Sequence, residues 1–410
     1  MNLSDRLQNL ESLGLLKSQK RVKPGKDPFL AEYLGGKIIA NLSGEYVLLE
    51  KSFGQSHRHG NVCLSDLSGV NCQTVCYLSA AQGLSNFNIT ETIFLDTETT
   101  GLAGGSGTYP FLVGVGFYDS DRFVLKQFFM RDYGEEKALL SDLAGLLKNF
   151  PYLVTYNGKG YDLPLLRTRF ILNRIKAPLD FTGHLDLLFP ARRIWKQRVK
   201  DCSLSNLENK ILGMERAIDI PSYLIPQAYF DYLQSGEKEK IGLILEHNAS
   251  DIISLAALLS HLCQILESPE KMEKLPVEDL LSLGKQFFYF GQFKKAGWCL
   301  EKSAVKSPTA ELFRDTHLLL GRLYKRIGEW QKAERVWTKV LEEYSSFCLE
   351  PYLELAKFYE HRAKEYQKAL GLVERAIDNL GASISLPDQY GRLEDLYYRK
   401  KRLLRKMERA

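Results

Sequence analysis

No apolar run in this chain reaches the ~18 residues that a bilayer-spanning helix requires, so no membrane span is expected. Cysteine is scarce and odd in number, seven in 410 residues, with no regular spacing. That excludes a disulfide framework and points to free thiols in a reducing, cytoplasmic setting. The opening residues, Met1 to Leu7, lack a basic-then-apolar signal pattern, which agrees with that expectation. A chain-wide excess of one charge is missing too. The net charge of +5 resides entirely in residues 391–410, which hold eight Lys/Arg against three Asp/Glu. A broad basic surface for gripping duplex DNA is therefore not expected, although a local one remains open.

The chain does hold three acidic segments of distinctive spacing. Ile93, Phe94 and Leu95 lead into Asp96-Thr97-Glu98-Thr99-Thr100-Gly101-Leu102. On a strand, residues i and i+2 share a face, so Asp96 and Glu98 project together where a buried strand gives way to a polar loop. Their like charges repel, and a divalent cation with a preference for hard oxygen ligands is the natural partner. A second segment, Asn157 to Asp162, follows the apolar run Tyr152–Val154. A third, Glu246 to Asp251, enters a stretch from Ile252 to Leu259 without glycine or proline, which predicts a helix. His247 and Asp251 then lie at i and i+4 on one helical face. Four carboxylates and a histidine from three segments make a candidate site for two Mg²⁺ or Mn²⁺ ions. Asp186, in the strand-like run from His184 to Leu188, is a fifth carboxylate and is read as structural.

Asp-x-Glu, then Asn-x-x-x-Tyr-Asp, then His-x-x-x-Asp resembles the three exonuclease motifs of the DEDD superfamily, which has the RNase H fold. The text around Asp96–Leu102, His184–Leu188, Ser203–Leu207 and Ile225–Tyr229 is similar to the YprB-type RNase H-like proteins, over about residues 85–265. The resemblance implies 3′→5′ hydrolysis of single-stranded DNA or RNA with two divalent ions. The ligands it implies are Asp96, Glu98, Asp162 and Asp251, with Asp96 bridging the ions. Thr99, Leu102, Asn157 and Tyr161 are implied contacts to the nucleic acid. His247 takes the place of the residue that orients or deprotonates the attacking water. A histidine usually stands five residues before the last aspartate of this superfamily, or a tyrosine four before. Here the histidine stands four before, a shift of about 100° around a helix.

The glycine-rich loop 101–108 either lets a phosphate approach the backbone or is a mobile connection. The run from Arg192 to Lys200 has five basic residues and no acid. Arg192, Arg193 and Lys196 would bind phosphate there, with Trp195 stacking on a base. Residues 3–13 read as a short amphipathic helix and 37–90 as β-rich, including Val75–Leu78. His57, His59, Cys63, Cys72 and Cys76 fall in that segment, but their spacing matches no zinc knuckle.

The predicted organisation is an N-terminal helix and β-rich extension over 1–84, an α/β domain over 85–265 and helical repeats over 275–410. The α/β domain is expected to be RNase H-like, a five-stranded mixed sheet with helices on both faces. Glycine, aromatic and alanine positions recur with a spacing of 37 residues (Gly284 to Gly321, Ala296 to Ala333), and the pattern resembles tetratricopeptide repeats, whose concave surface binds proteins. The basic final segment, with Leu396, Leu403 and Leu404 inward, is read as the cap of this array. A metal-dependent exonuclease with a recruiting repeat domain is the expected function. The alternative is a non-catalytic adaptor that binds nucleic acid through one domain and protein through the other.

Overall fold

A computed structural model of the chain describes residues 29–79, 83–101, 105–382 and 387–409. The expected helix over 3–13 and Leu102 lie outside the described residues. The chain divides into two units, one comprising Met1–Ala191 with Asp201–Ser268, the other Arg192–Lys200 with Pro269–Ala410.

The first unit is built on a seven-stranded mixed sheet rather than the five strands expected. Its strands are β1 (Lys37–Asn41), β2 (Gly44–Gly54), β5 (Thr92–Thr99), β6 (Pro110–Asp119), β7 (Arg122–Phe129), β8 (Tyr152–Thr155) and β9 (Gly183–Asp186), and β3 (Arg58–His59) and β4 (Val62–Cys63) form a separate two-stranded ribbon. The spatial order is β1-β2-β7-β6-β5-β8-β9. The two additional strands come from the segment read as a separate extension. Val47 to Gly54 pair antiparallel with Phe129 to Arg122, and Tyr46, Val47 and Leu49 enter the same core as the other strands. The stretch Val75–Leu78, expected as strand, lies within a helix, Cys72–Ser79. Val75 and Leu78 are buried three residues apart, a helical repeat.

β5 is central, antiparallel to β6 and parallel to β8. Ile93, Phe94 and Leu95 are fully buried, as a strand covered on both faces requires. Helices α1 (Glu136–Leu147), α2 (Asp162–Leu172), α4 (Ile225–Ser235) and α5 (Glu239–Glu267) complete the unit, with α3 (Leu188–Val199) between α2 and α4 in sequence. α5 is apolar enough to qualify as a membrane span by length and composition, but 78% of that window is buried in the protein; it is a core helix.

Two glycines set how closely α5 approaches the sheet. A Cβ on Gly114 would lie 2.1 Å from Asn248 Oδ1, and one on Gly116 would lie 2.6 Å from Ile252 Cγ2. Asn248 and Ile252 are one helical turn apart on α5, so two bare positions on one face of β6 receive successive turns of the helix.

The second unit is helical. α6 (Val277–Tyr289) pairs with α7 (Phe293–Val305), α8 (Ala310–Arg326) with α9 (Trp330–Glu343), and α10 (Leu349–Phe358) with α11 (Tyr366–Ala382), followed by α12 (Pro387–Met407) against α11. Small residues sit at the crossings. A Cβ on Gly284 would meet Leu300 at 2.7 Å, and one on Gly321 would meet Trp337 at 2.2 Å. Leu396 and Leu403 are buried, but Leu404 is exposed, which corrects its inward assignment: the helix turns it about 100° from its neighbour. Arg399, Arg402 and Lys406 converge on the buried Glu360, so much of the tail's positive charge is spent on holding α12 in place. Burial opposes the charge on Glu360, but Arg402 and Lys406 outweigh it and hold the carboxyl down at about 2.

Candidate metal centre

The structure brings the sequence-predicted acids of the first unit into one neighbourhood. Asp96 and Glu98 stand on one face at the end of β5, and the register slips between Glu98 and Thr99, a bulge that ends regular pairing. Asp162 is the first residue of α2 and is buried. It is reached from the other face of β5, where Thr97 Oγ1 donates to its Oδ1. His247 and Asp251 sit one turn apart on α5.

Asp96 is held across the sheet. Its partner on β6 is Gly114, and the partner of Gly114 on β7 is Gln127. Asn248 lies over the glycine and bridges the two, donating from Nδ2 to Asp96 Oδ2 at 2.9 Å and accepting from Gln127 Nε2 at 3.0 Å. Both amides are buried, so the carboxylate's orientation is fixed by neutral donors with no freedom to exchange with water.

Asp251 is held by charge. Arg216 Nη2 donates to Asp251 Oδ1, while the same guanidinium forks onto Glu208 at 2.8 and 2.6 Å and reaches Asp219 at 3.2 Å. Glu208 in turn accepts from Ser254, whose hydroxyl lies 2.6 Å from His59 Nε2. Asp219 Oδ1 lies 2.6 Å from His247 Nδ1. Arg216 Nη1, which only donates, lies 3.0 Å from the same Nδ1. The shorter contact is to the carboxylate, which only accepts and favours a proton on Nδ1, and Nε2 then faces Asp251 Oδ2 at 3.6 Å and Glu98 Oε1 at 3.9 Å.

The acid cluster carries a strong electrostatic penalty. Burial, and then repulsion from Asp251 and Asp162, pushes the Asp96 carboxyl well above its usual range. Burial pushes up Glu98 likewise, with Asp96, Asp251 and Asp162 adding to it. Burial also raises Asp162, to about 6, against the hydrogen bond from Thr97. Among the described residues no lysine or arginine is ion-paired with Asp96, Glu98 or Asp162. At Arg216 burial opposes the charge, but Glu208 and Asp251 hold the guanidinium above its usual range.

Oxygen donors with one imidazole suit a hard divalent cation. Among the described residues, the one group of three or more potential ligands with atoms all within 4.8 Å of one another is Glu98, His247 and Asp251. His57, His59, Cys63, Cys72 and Cys76 form no such group. His59 is committed to Ser254, Cys63 donates to Gln55 O, and burial lowers His59 to about 4.

Other predicted residues take varied places. The Thr99 and Tyr161 hydroxyls lie 2.9 Å apart and each is within hydrogen-bond reach of Gly101 O, so their two protons are shared among three contacts at the start of the glycine-rich loop. Asn157 is exposed in a left-handed conformation. Asp186 accepts from the backbone of Asn157, Lys159 and Leu188 at 2.8–3.1 Å, so it fastens the turn before α2 to the start of α3. Trp195 is 1% exposed and cannot stack on a base. Its side chain packs inward because α3 buries Ala191, Ile194 and Trp195 on one face. Arg192 and Lys196 remain exposed and Arg193 is half-buried.

Sequence reasoning missed Arg216, Glu208, Asp219 and Asn248. Asn248 sits inside the third motif and could have been found by its place next to His247. Arg216 lies in an irregular segment after Gly213, which has a φ of 63°, and no periodicity announces it.

Residues 93–263 match the family described as the RNase H superfamily. The Bacillus subtilis (strain 168) protein described as "Uncharacterized protein YprB" is 33% identical over 399 residues, which cover 92% of this chain and 94% of that protein. With a match of that extent, and an acid cluster carried by the segment of the superfamily domain, the chain belongs to the YprB family of RNase H-superfamily proteins.

Proposed function

We propose that this protein is a metal-dependent 3′→5′ exonuclease that hydrolyses phosphodiester bonds of single-stranded DNA or RNA. The observation that carries this reading is the cluster of Asp96, Glu98 and Asp162 on β5 and α2, which forms no ion pair with a lysine or arginine among the described residues and whose carboxyls burial and mutual repulsion push upward. Asp96, Glu98, Asp162 and Asp251 would hold two Mg²⁺ or Mn²⁺ ions. Such ions, when bound, lower the pKa of water and offset the charge that builds on the attacking and leaving oxygens.

The chain's own residues have definite tasks. His247 presents Nε2 on the acidic side of the ring, where it orients the attacking water or takes its proton. Asp219 keeps the ring in that tautomer. The water oxygen forms the new bond to phosphorus, the bond to the 3′ oxygen of the adjacent nucleotide breaks, and that oxygen leaves with a proton. Thr99, Asn157 and Tyr161 would meet the terminal nucleotide, with Thr99 and Tyr161 beside Gly101 at the start of the glycine-rich loop. The helical pairs of the second unit serve as tetratricopeptide-like repeats that recruit a protein partner or the substrate.

One observation favours a second reading. Arg216 already engages Asp251, as it would in a non-catalytic adaptor whose site is neutralised internally. A Mn²⁺ titration with single-stranded DNA and RNA labelled at either end separates the two. The exonuclease predicts stepwise shortening from the 3′ end that disappears in Asp96→Asn. Metal binding without product, or full cleavage by Asp96→Asn, overturns it.

A further inference from the structure

The helical unit holds a basic groove of about 630 Å³, lined by residues of α3, α6 and α8. Five cationic side chains border it: Arg192, Arg193 and Lys196 of α3, Lys285 of α6 and Arg322 of α8. Asp315 is the one acid in the lining, and Arg314 pairs with it at 2.7 Å. Arg322 is shared with Glu350. Arg192, Lys196 and Lys285 have no carboxylate partner among the described residues.

The groove is built rather than incidental. Arg198, on the same helix, forks onto the buried Asp279 of α6 with contacts of 2.9, 3.1 and 2.8 Å. Trp195 is inserted into the protein interior. These two anchors fix the rotation of α3 so that Arg192 and Lys196, at i and i+4, present their charges to the groove. Tyr289, at the end of α6, lines the groove with 72% of its surface exposed. An exposed aromatic ring among unpaired cations is the combination that binds a single strand, with cations on phosphates and the ring on a base.

We propose that this groove binds the backbone of a single-stranded nucleic acid, with Lys196 and Lys285 on phosphates and Tyr289 stacked on a base. The proposal rests on the choice of nucleic acid as ligand under the function proposed above, but not on cleavage. A carboxylate-rich peptide would meet the same cations but gains little from the ring, so the strand is favoured.

The test uses the full chain in EDTA, where no cleavage occurs, with a fluorescein-labelled oligothymidylate of about 20 nucleotides read by anisotropy. Lys196→Ala/Lys285→Ala should weaken binding about tenfold or more and make the salt slope shallower by about 1.4. Tyr289→Ala should weaken it about tenfold with the salt slope unchanged. Lys294→Ala, an exposed charge on α7 outside the groove lining, should bind as the wild type does. Wild-type affinity and slope in both groove variants, with their melting curves intact, overturns the proposal. So does tighter binding of an oligoglutamate peptide than of the oligonucleotide at equal salt, which would assign the groove to a protein partner. Loss of binding in the groove variants, together with no cleavage by the wild type in Mn²⁺, would keep the groove and remove the nuclease reading. Cleavage with unaltered binding would do the reverse.

Discussion

Asp251 lies against a guanidinium, whereas among the described residues Asp96 and Asp162 take side-chain hydrogen bonds from neutral donors and Glu98 faces the His247 ring at 3.9 Å. The two halves of this acid cluster are thus stabilised by different means. On the α5 side, Arg216 is saturated by Glu208, Asp219 and Asp251 and carries the only full positive charge bonded to these acids among the described residues. On the β5 side, an amide from Asn248 and a hydroxyl from Thr97 orient the oxygens without cancelling their charge. Orientation without neutralisation is a costly arrangement for folding alone. It is the arrangement expected of a binding site for a cation, and it locates the electrostatic deficit at β5 and α2.

The contrast can be broken from either side. The largest effect should come from Asp96→Asn. It should lower Mn²⁺-dependent cleavage by about 10³-fold or more while leaving the stability of the metal-free protein unchanged or higher, because one of several repelling charges is removed. A fall in both would mean that Asp96 is a structural carboxylate. Next, Arg216→Met should destabilise the protein by about 3–5 kcal/mol in urea denaturation, because Glu208 is then left buried without its partner. Adding Glu208→Gln in the same chain should restore part of that loss. Unchanged stability in the single variant would show that Arg216 is not the brace its contacts indicate.

Gly114→Ala should cost about 1–3 kcal/mol and reduce cleavage as well. The added methyl falls on Asn248, and displacing Asn248 releases Asp96. A variant with full activity would mean that the bridge across β5, β6 and β7 does not hold the ligand.

The smallest effect is in pH. The Asp162 carboxyl titrates near 6 in the folded protein against an ordinary 3.8. The folded state therefore binds that proton more tightly, and the group's contribution is complete below about pH 4 and lost as pH rises through about 6. His59 runs the other way. Its folded value of about 4 against 6.5 gives a contribution present above about pH 6.5 and lost as pH falls toward 4. The two oppose each other in the same window, so variants must be compared. Metal-free Asp162→Asn should gain stability over the wild type as pH is raised from about 4 to 7, read by thermal melting. A constant difference across that range would contradict the assigned shift.

The legible and illegible parts of this protein follow from what local sequence encodes. The apolar run into Asp96 and Glu98 and the uninterrupted helix around Asp251 are local patterns, and both elements formed where the residues indicated. The small residues at 284 and 321 likewise mark helix crossings. What was not legible depends on long-range closure. Strands β1 and β2 join the sheet through pairing with β7, some 75 residues away, which no window of sequence contains. Trp195 carried the chemistry of a stacking residue, but its position on the inner face of α3 decided its role. Arg216 sits in an irregular segment and owes its place to four acidic and imidazole partners on three separate stretches, so its part in the centre emerges only when the chain is folded.

The most direct test of the cation deficit at β5 and α2 is isothermal titration of Mn²⁺ into the metal-free wild type and into Asp96→Asn. The account predicts saturable binding by the wild type and a loss of about tenfold or more in affinity in the variant. Equal affinity in the two proteins, or no binding by a folded wild type, would contradict it.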